Sequence, residues 1–208
     1  MSQLSLVIAD KRHSSWSMRP WILLRAAGIP FEEVLLRFTP EHKVIGIERY
    51  SPTGKVPVLM VDGAPVWDSL AICETVAEMF PEKQLWPADF TARHVARSAC
   101  AEMHSGFQAL RTSMPMDVRD PHPGEGRNEG SERDIARIVA LWEQCRVRFG
   151  GSGNLLFGRF SCADAMFAPV VTRFTTYGVD LPPVAQAYCD AVLALPAVRE
   201  WYAAGKQE

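Results

Sequence analysis

The chain has 208 residues, of which 48% are apolar and 22% charged, with a net charge of −2. That length suits one large domain or two small ones, and the composition supports a dense core without disulfide or metal staples. The near-neutral charge offers no basic face for nucleic acid or an anionic bilayer, no apolar run approaches the ~20 residues of a membrane span, and the opening residues lack a secretory apolar core, so a cytoplasmic protein without nucleic-acid or membrane partners is expected.

Residues 4–8 are a short apolar run and read as a buried strand. Residues 11–17 are polar loop. Pro20 suits the first turn of a helix and Gly28 its C′ position, which predicts a helix over 19–27. Residues 31–36 read as a second strand, 40–49 as a short irregular helix and 56–61 as a third strand. Asp62-Gly63 is a hairpin signal that returns the chain as a fourth strand over 64–67, and Asp68 then caps a helix over 69–80. The order β-α-β-α-β-β-α implies a right-handed parallel unit with an antiparallel edge, so the sheet is mixed and four-stranded.

The prolines of residues 81–90 break this pattern and place a domain boundary: an α/β unit over 1–82, a linker over 83–90 and an all-helical unit over 91–208. Residues 91–113 read as one long helix and 114–130, rich in Pro, Gly and Asp, as a loop. Ser131-x-x-Asp134 and Ser161-x-x-Asp164 resemble capping boxes, with Asp at the place where Glu or Gln is the stronger match. The Gly-Gly-Ser-Gly-Asn run at 150–154, Pro182-Pro183 and Pro196 punctuate the remainder into roughly five helices in all. Cys73, Cys100, Cys145, Cys162 and Cys189 are odd in number, widely spread and form no C-x-x-C, so they read as core residues of a reducing compartment and neither disulfides nor a metal site is expected.

Three stretches hold groups with chemistry. In His13-Ser14-Ser15-Trp16-Ser17-Met18-Arg19, hydroxyls lie between a strand end and a helix start, where unpaired N–H groups and the helix dipole favour an anion; serines there also serve as plain helix caps. In Thr53-Gly54-Lys55-Val56-Pro57, a cis Val56-Pro57 bond exposes the Val56 backbone to a ligand, whereas a trans bond leaves an ordinary edge strand with a loop lysine. Asp68-Ser69 opens a helix and either recognises the ammonium and carboxylate of an α-amino acid end or acts as an N-cap.

The order of these stretches, followed by a linker and helices carrying Ser161-x-x-Asp164, resembles the cytosolic glutathione transferase family over the whole chain. SSWSMRPWILL is similar to the Ser-Ser-Cys-Ser-x-Arg motif of the zeta class, which includes maleylacetoacetate isomerases; KVPVL is similar to the family's cis-proline segment, DSLAI to its Glu/Asp-Ser-x-Ala-Ile segment and SCADAMFAP to its helix-capping motif. The resemblance implies a thioredoxin-like N-terminal domain, a helical C-terminal domain and a homodimer. It also implies glutathione as co-substrate beside a small electrophile, and no metal. Ser14, with Ser15 close by, would hydrogen-bond the glutathione sulfur. Lys55 and His42 would meet its glycine end, Val56 beside Pro57 its cysteinyl unit, and Asp68 and Ser69 its γ-glutamyl end. Trp16, Met103, Phe107, Arg111, Met114, Met116 and Arg119 are candidate walls of the electrophile pocket, and Ser161 and Asp164 match a folding motif.

Two departures are visible. Trp16 stands where the zeta motif has cysteine, and Thr176 stands where the class carries a substrate-binding arginine, with Arg173, one helical turn earlier, a further candidate for the electrophile pocket that could reach the same region. The expected activity is glutathione transfer through a thiolate held by a serine hydroxyl. A glutathione-dependent isomerase or peroxidase and a non-catalytic protein-binding module are the alternatives; retention of Ser14, Ser15, Asp68 and Ser69 favours an enzyme.

Overall fold

A computed structural model describes residues 2–41, 43–151 and 153–208. Four strands, β1 (Leu4–Ile8), β2 (Glu32–Leu35), β3 (Val58–Val61) and β4 (Ala64–Trp67), form one sheet in the order β2-β1-β3-β4. β1 runs parallel to β2 and antiparallel to β3, and β3 pairs antiparallel with β4, so the expected mixed sheet is what forms. Leu6, Val7 and Ile8 are wholly buried, as a central strand covered on both faces requires. Asp62 and Gly63 both adopt positive φ, the geometry that matches a two-residue turn to the twist of the flanking strands.

Helix α1 (Ser15–Ala26) crosses from β1 to β2. It ends where Gly28, at φ 65°, lets Gly28 and Ile29 donate to the Arg25 and Leu24 carbonyls. It begins four residues earlier than Pro20 suggests: the Ser14 carbonyl takes the first helical bond from Met18, and Pro20 lies inside the helix at the loss of one backbone donor. Between β2 and β3, where a short irregular helix is expected over 40–49, the described residues form a 3₁₀ turn over Ile47–Arg49. Helix α2 (Ser69–Met79) follows β4.

The remaining helices are α3 (Phe90–Ser105), α4 (Gln108–Ser113), α5 (Glu129–Phe149), α6 (Cys162–Thr176), α7 (Pro183–Ala194) and α8 (Pro196–Gly205). The long helix expected over 91–113 is in fact two. Gly106 is extended and Phe107 takes a left-handed φ of 60°, and Arg111 reaches back to donate to the Gly106 and Met103 carbonyls that the break leaves open. Helix α5 likewise starts at Asn128, not Ser131. The Asn128 carboxamide accepts from Gly130 and Ser131 while the Ser131 hydroxyl accepts from the Asn128 N–H, a box three residues upstream of the one read from the sequence.

All of α6 except Thr175 is buried, and it packs against α1, α3 and α7. Its N-terminus holds the predicted Ser161–Asp164 box: one Asp164 oxygen accepts from the Ser161 N–H and hydroxyl, the other from the Leu156 N–H. All five cysteines are buried and unpaired, and burial pushes the Cys145 thiol up to about 11 and the Cys189 thiol up to about 12.

Candidate active site

The site lies beyond the carboxyl end of β1, at the start of α1, against the turn before β3 and the start of α2. Two adjoining hollows share Trp16, Lys55 and Val56. One, of about 560 Å³, is lined by His13, Ser14, Ser15, Phe38, Lys43, Val44, Ile47 and Gly54 as well. The other, of about 360 Å³, is completed by Thr53, Pro57, Trp67, Asp68, Ser69 and His104.

Ser14 is the residue preceding α1, yet its side chain makes no capping bond to the first turn. Its hydroxyl instead donates to the Ser17 hydroxyl at 2.7 Å, and Ser17 also accepts from the Ala9 N–H at 3.2 Å. Ser17 is wholly buried and lines neither hollow, whereas Ser14 and Ser15 face the larger one. No acidic residue occupies the first turn of α1, so the partial positive charge of that helix end is not neutralised from within the helix.

The turn before β3 is held by Ser51, whose hydroxyl accepts from the Thr53 and Lys55 N–H groups, and by Gly54 at φ 69°. The Val56-Pro57 bond is cis. Asp68 adopts φ 75° and caps α2: Oδ1 accepts from Leu70 at 2.9 Å and from Ala71 at 3.3 Å. Its other oxygen, Oδ2, lies 3.0 Å from Nε2 of His104 at the end of α3. The Ser69 hydroxyl accepts from Arg19 at 3.3 Å.

Arg19 is wholly buried, and two of its nitrogens, Nε and Nη2, have no protein partner among the described residues. Burial, reinforced by Arg111 and Arg173, pulls its pKa down to about 9, so it remains a cation at neutral pH. It lies 4.1 Å from the Trp16 ring centroid and Arg111 4.7 Å from it, which fixes the indole between the hollows by cation–π contact.

Trp16, Ser14, Ser15, Lys55, Val56, Pro57, Asp68 and Ser69 therefore converge, while His42 lies outside the described residues. The expected electrophile walls behave otherwise. Met103, Phe107, Met114 and Met116 are buried in the apolar core, and Arg119 pairs with Asp120 at the surface. Arg111 is spent on the carbonyls at the α3–α4 break. Arg173, 4% exposed, donates to the Met114 and Pro169 carbonyls and is lowered by burial to about 9. Thr176 donates to the Asp117 carbonyl. Arg173 and Thr176 sit on α6, which is buried at every position except Thr175, and Phe107 lies at the break between α3 and α4. Phe38, Lys43, Val44 and Ile47 form an apolar and basic wall of the larger hollow, and His104, from the helical half, lines the smaller one. Sequence periodicity hid His104, because it neighbours Met103, whose spacing marks the buried face of α3.

Among the described residues no helix is long and apolar enough to cross a membrane, and no group of three metal-ligating side chains is found. Family models for the glutathione S-transferase N-terminal and C-terminal domains match residues 13–79 and 128–204. A probable maleylacetoacetate isomerase of Caenorhabditis elegans is 32% identical over 185 residues, covering 88% of this chain and 85% of that protein. Glutathione S-transferase 1 of Dianthus caryophyllus is 27% identical over 186 residues, covering 86% of this chain and 83% of that one. In fold, the chain matches a glutathione transferase homolog from Burkholderia, solved with bound glutathione, at a TM-score of 0.75 and 22% identity over 99% of this chain and 100% of the other.

Proposed function

The chain belongs to the glutathione S-transferase family, and from that membership and the geometry of its cleft we propose that it is a glutathione transferase in which the Ser14 hydroxyl holds the co-substrate's sulfur as thiolate. The observation that carries the reading is the start of α1: the Ser14 hydroxyl faces a hollow and is bonded to Ser17 but not spent on capping the helix, and no acidic residue of the first turn neutralises the positive helix end beside it. The γ-glutamyl end is assigned to Asp68 and Ser69, the cysteinyl unit to the Val56 backbone beside Pro57, and the glycine carboxylate to Lys55. This threads the tripeptide from the smaller hollow past Trp16 into the larger one.

A free thiol of pKa ~8.5 is only a few per cent ionised at pH 7. A hydrogen bond to a charged acceptor contributes ~1.5–3 kcal/mol, and one pKa unit is ~1.36 kcal/mol, so one Ser14 donor lowers the bound thiol by about 1–2 units. The helix end adds up to roughly one more. Sulfur is the nucleophile and the serine is not; Ser14 donates a proton to the lone pair without losing it. Four buried cysteines have their thiols raised by burial, so the reactive sulfur comes from the ligand.

The electrophile is assigned to the part of the larger hollow bounded by Phe38, Val44, Ile47 and Lys43, in place of the walls on α3, α4 and α6. The zeta-like isomerase reading has the maleylacetoacetate isomerase names of several relatives in its favour, but no arginine at position 176 to meet an acidic substrate. By family habit the molecule is a cytoplasmic homodimer. Retention on immobilised glutathione, followed by assay against a panel of chromogenic electrophiles, peroxides and maleyl acids, tests the reading. Turnover of electrophiles supports it, turnover of maleyl acids alone moves it to isomerisation, and no retention overturns it.

A further inference from the structure

We propose that His104, brought in by the end of α3, is a specificity-determining residue of the γ-glutamyl site that holds the outer oxygen of Asp68 and so sets how tightly the ligand's ammonium is bound. This rests on the cleft being a glutathione site. Asp68 has two oxygens. Oδ1 is consumed by the Leu70 and Ala71 N–H groups at the start of α2, so Oδ2 alone remains to meet an ammonium, and that oxygen lies 3.0 Å from Nε2 of His104. The imidazole is one wall of the same hollow and is fixed edge-on against Trp16, with ring centroids 5.4 Å apart.

The charge of His104 therefore decides what Oδ2 offers. The charged groups facing the ring are Asp68 from α2, Arg19 from α1 and Arg111 from α4, with Lys55 across the hollow. Burial, then the two arginines, push the imidazole below its usual 6.5, and Asp68 opposes them. Nδ1 is buried with no protein partner among the described residues, so adding a proton there leaves a donor unmet. At neutral pH the ring is uncharged. Its Nε2–H donates to one lone pair of Oδ2, and the carboxylate keeps its full negative charge for the ammonium. On acidification an imidazolium neutralises Asp68 and repels the ammonium, so binding weakens as pH falls through the His104 midpoint. Reciprocally, bound ammonium lowers that midpoint further.

The test is calorimetric binding of S-methylglutathione, which lacks a titrating thiol, to the full chain and to His104→Gln between about pH 5 and 8. An N-acetylated S-methylglutathione, which lacks the ammonium, is the control ligand. The wild type should lose affinity for S-methylglutathione by up to about tenfold per pH unit on the acid side. His104→Gln, which keeps a donor to Oδ2 but no titration, should lose that slope although His13 remains, and the acetylated ligand should show no such slope with either protein. A slope shared by the variant, or by the acetylated ligand, overturns the proposal. In the wild type, nuclear magnetic resonance titration of the His104 ring should show a lower midpoint with S-methylglutathione bound, and an unmoved midpoint overturns it independently of any variant. Failure of the wild type to bind S-methylglutathione at any pH overturns the glutathione reading itself, and this inference with it.

Discussion

The Ser14 hydroxyl donates to the Ser17 hydroxyl at 2.7 Å, along the first turn of α1. Ser17 is anchored in turn by the Ala9 N–H at the end of β1, so the pair ties the loop to the sheet. A hydroxyl both donates and accepts. On the proposed reading, an arriving thiolate would take its hydrogen bond from Ser14, and Ser17 would reverse to donate into Ser14.

Ser14→Ala should therefore lower kcat/KM at least tenfold while changing the affinity for S-methylglutathione little, because the lost bond is to the ionised sulfur. Ser17→Ala, which removes only the second donor, should cost about 2–12-fold, the equivalent of one ordinary hydrogen bond of ~0.5–1.5 kcal/mol. Steady-state kinetics beside calorimetry separates the two. An equal loss in both variants would contradict Ser14 as the group that alone meets the sulfur.

Much of this was legible in the chain. Asp62-Gly63 set the hairpin, Gly28 the end of α1, and Ser161-x-x-Asp164 the start of α6, because each is a local device whose residue types have few other uses. Where residues have several uses, reading failed. Pro20 fits a first turn but is tolerated inside α1. Ser131 fits an N-cap but is the third residue of a helix capped by Asn128. The break at Gly106 and Phe107 carried only one weak signal, a single glycine, too little to split a helix read over 91–113. His104 depends on α3 packing against the start of α2, a non-local contact that no spacing encodes.

Asp68→Asn should separate capping from charge. Asparagine caps a helix as well as aspartate does, so stability should hold within about 0.5 kcal/mol. Loss of the carboxylate removes a charged hydrogen bond of ~1.5–3 kcal/mol, and glutathione affinity should fall about 10–100-fold. Calorimetry beside a urea melt reads both, and unchanged affinity would move the ammonium elsewhere.

Asp164 is buried, and burial raises its carboxyl to about 6 while Leu156 and Ser161 supply three donors to it. Asp164→Ala strands those donors in the core and should cost about 2–4 kcal/mol of unfolding free energy, with no comparable effect from surface substitutions such as Arg133→Ala. A urea midpoint within error of the wild type would contradict the buried box as an anchor of α6.

Burial lowers both His13 and His104 from the ordinary 6.5. The unfolded chain regains that value, so below it the unfolded state takes up more protons than the folded one. The contribution of these rings is present above about pH 6.5 and lost as pH falls through their folded midpoints. The urea midpoint should decline from about pH 7 to 5, and the decline should be shallower in the His13→Gln, His104→Gln double variant. An identical decline in the two proteins would contradict the assignment.

The central claim is that the Ser14 hydroxyl at the start of α1 keeps a bound tripeptide's sulfur ionised. Ultraviolet difference absorption of the thiolate, titrated against pH with glutathione saturating the protein, tests it most directly. The bound thiol should titrate about 1–2 units below free glutathione, and Ser14→Ala should return it toward the free value. A bound thiol that titrates as it does in water, or one whose midpoint is the same in wild type and Ser14→Ala, contradicts the claim.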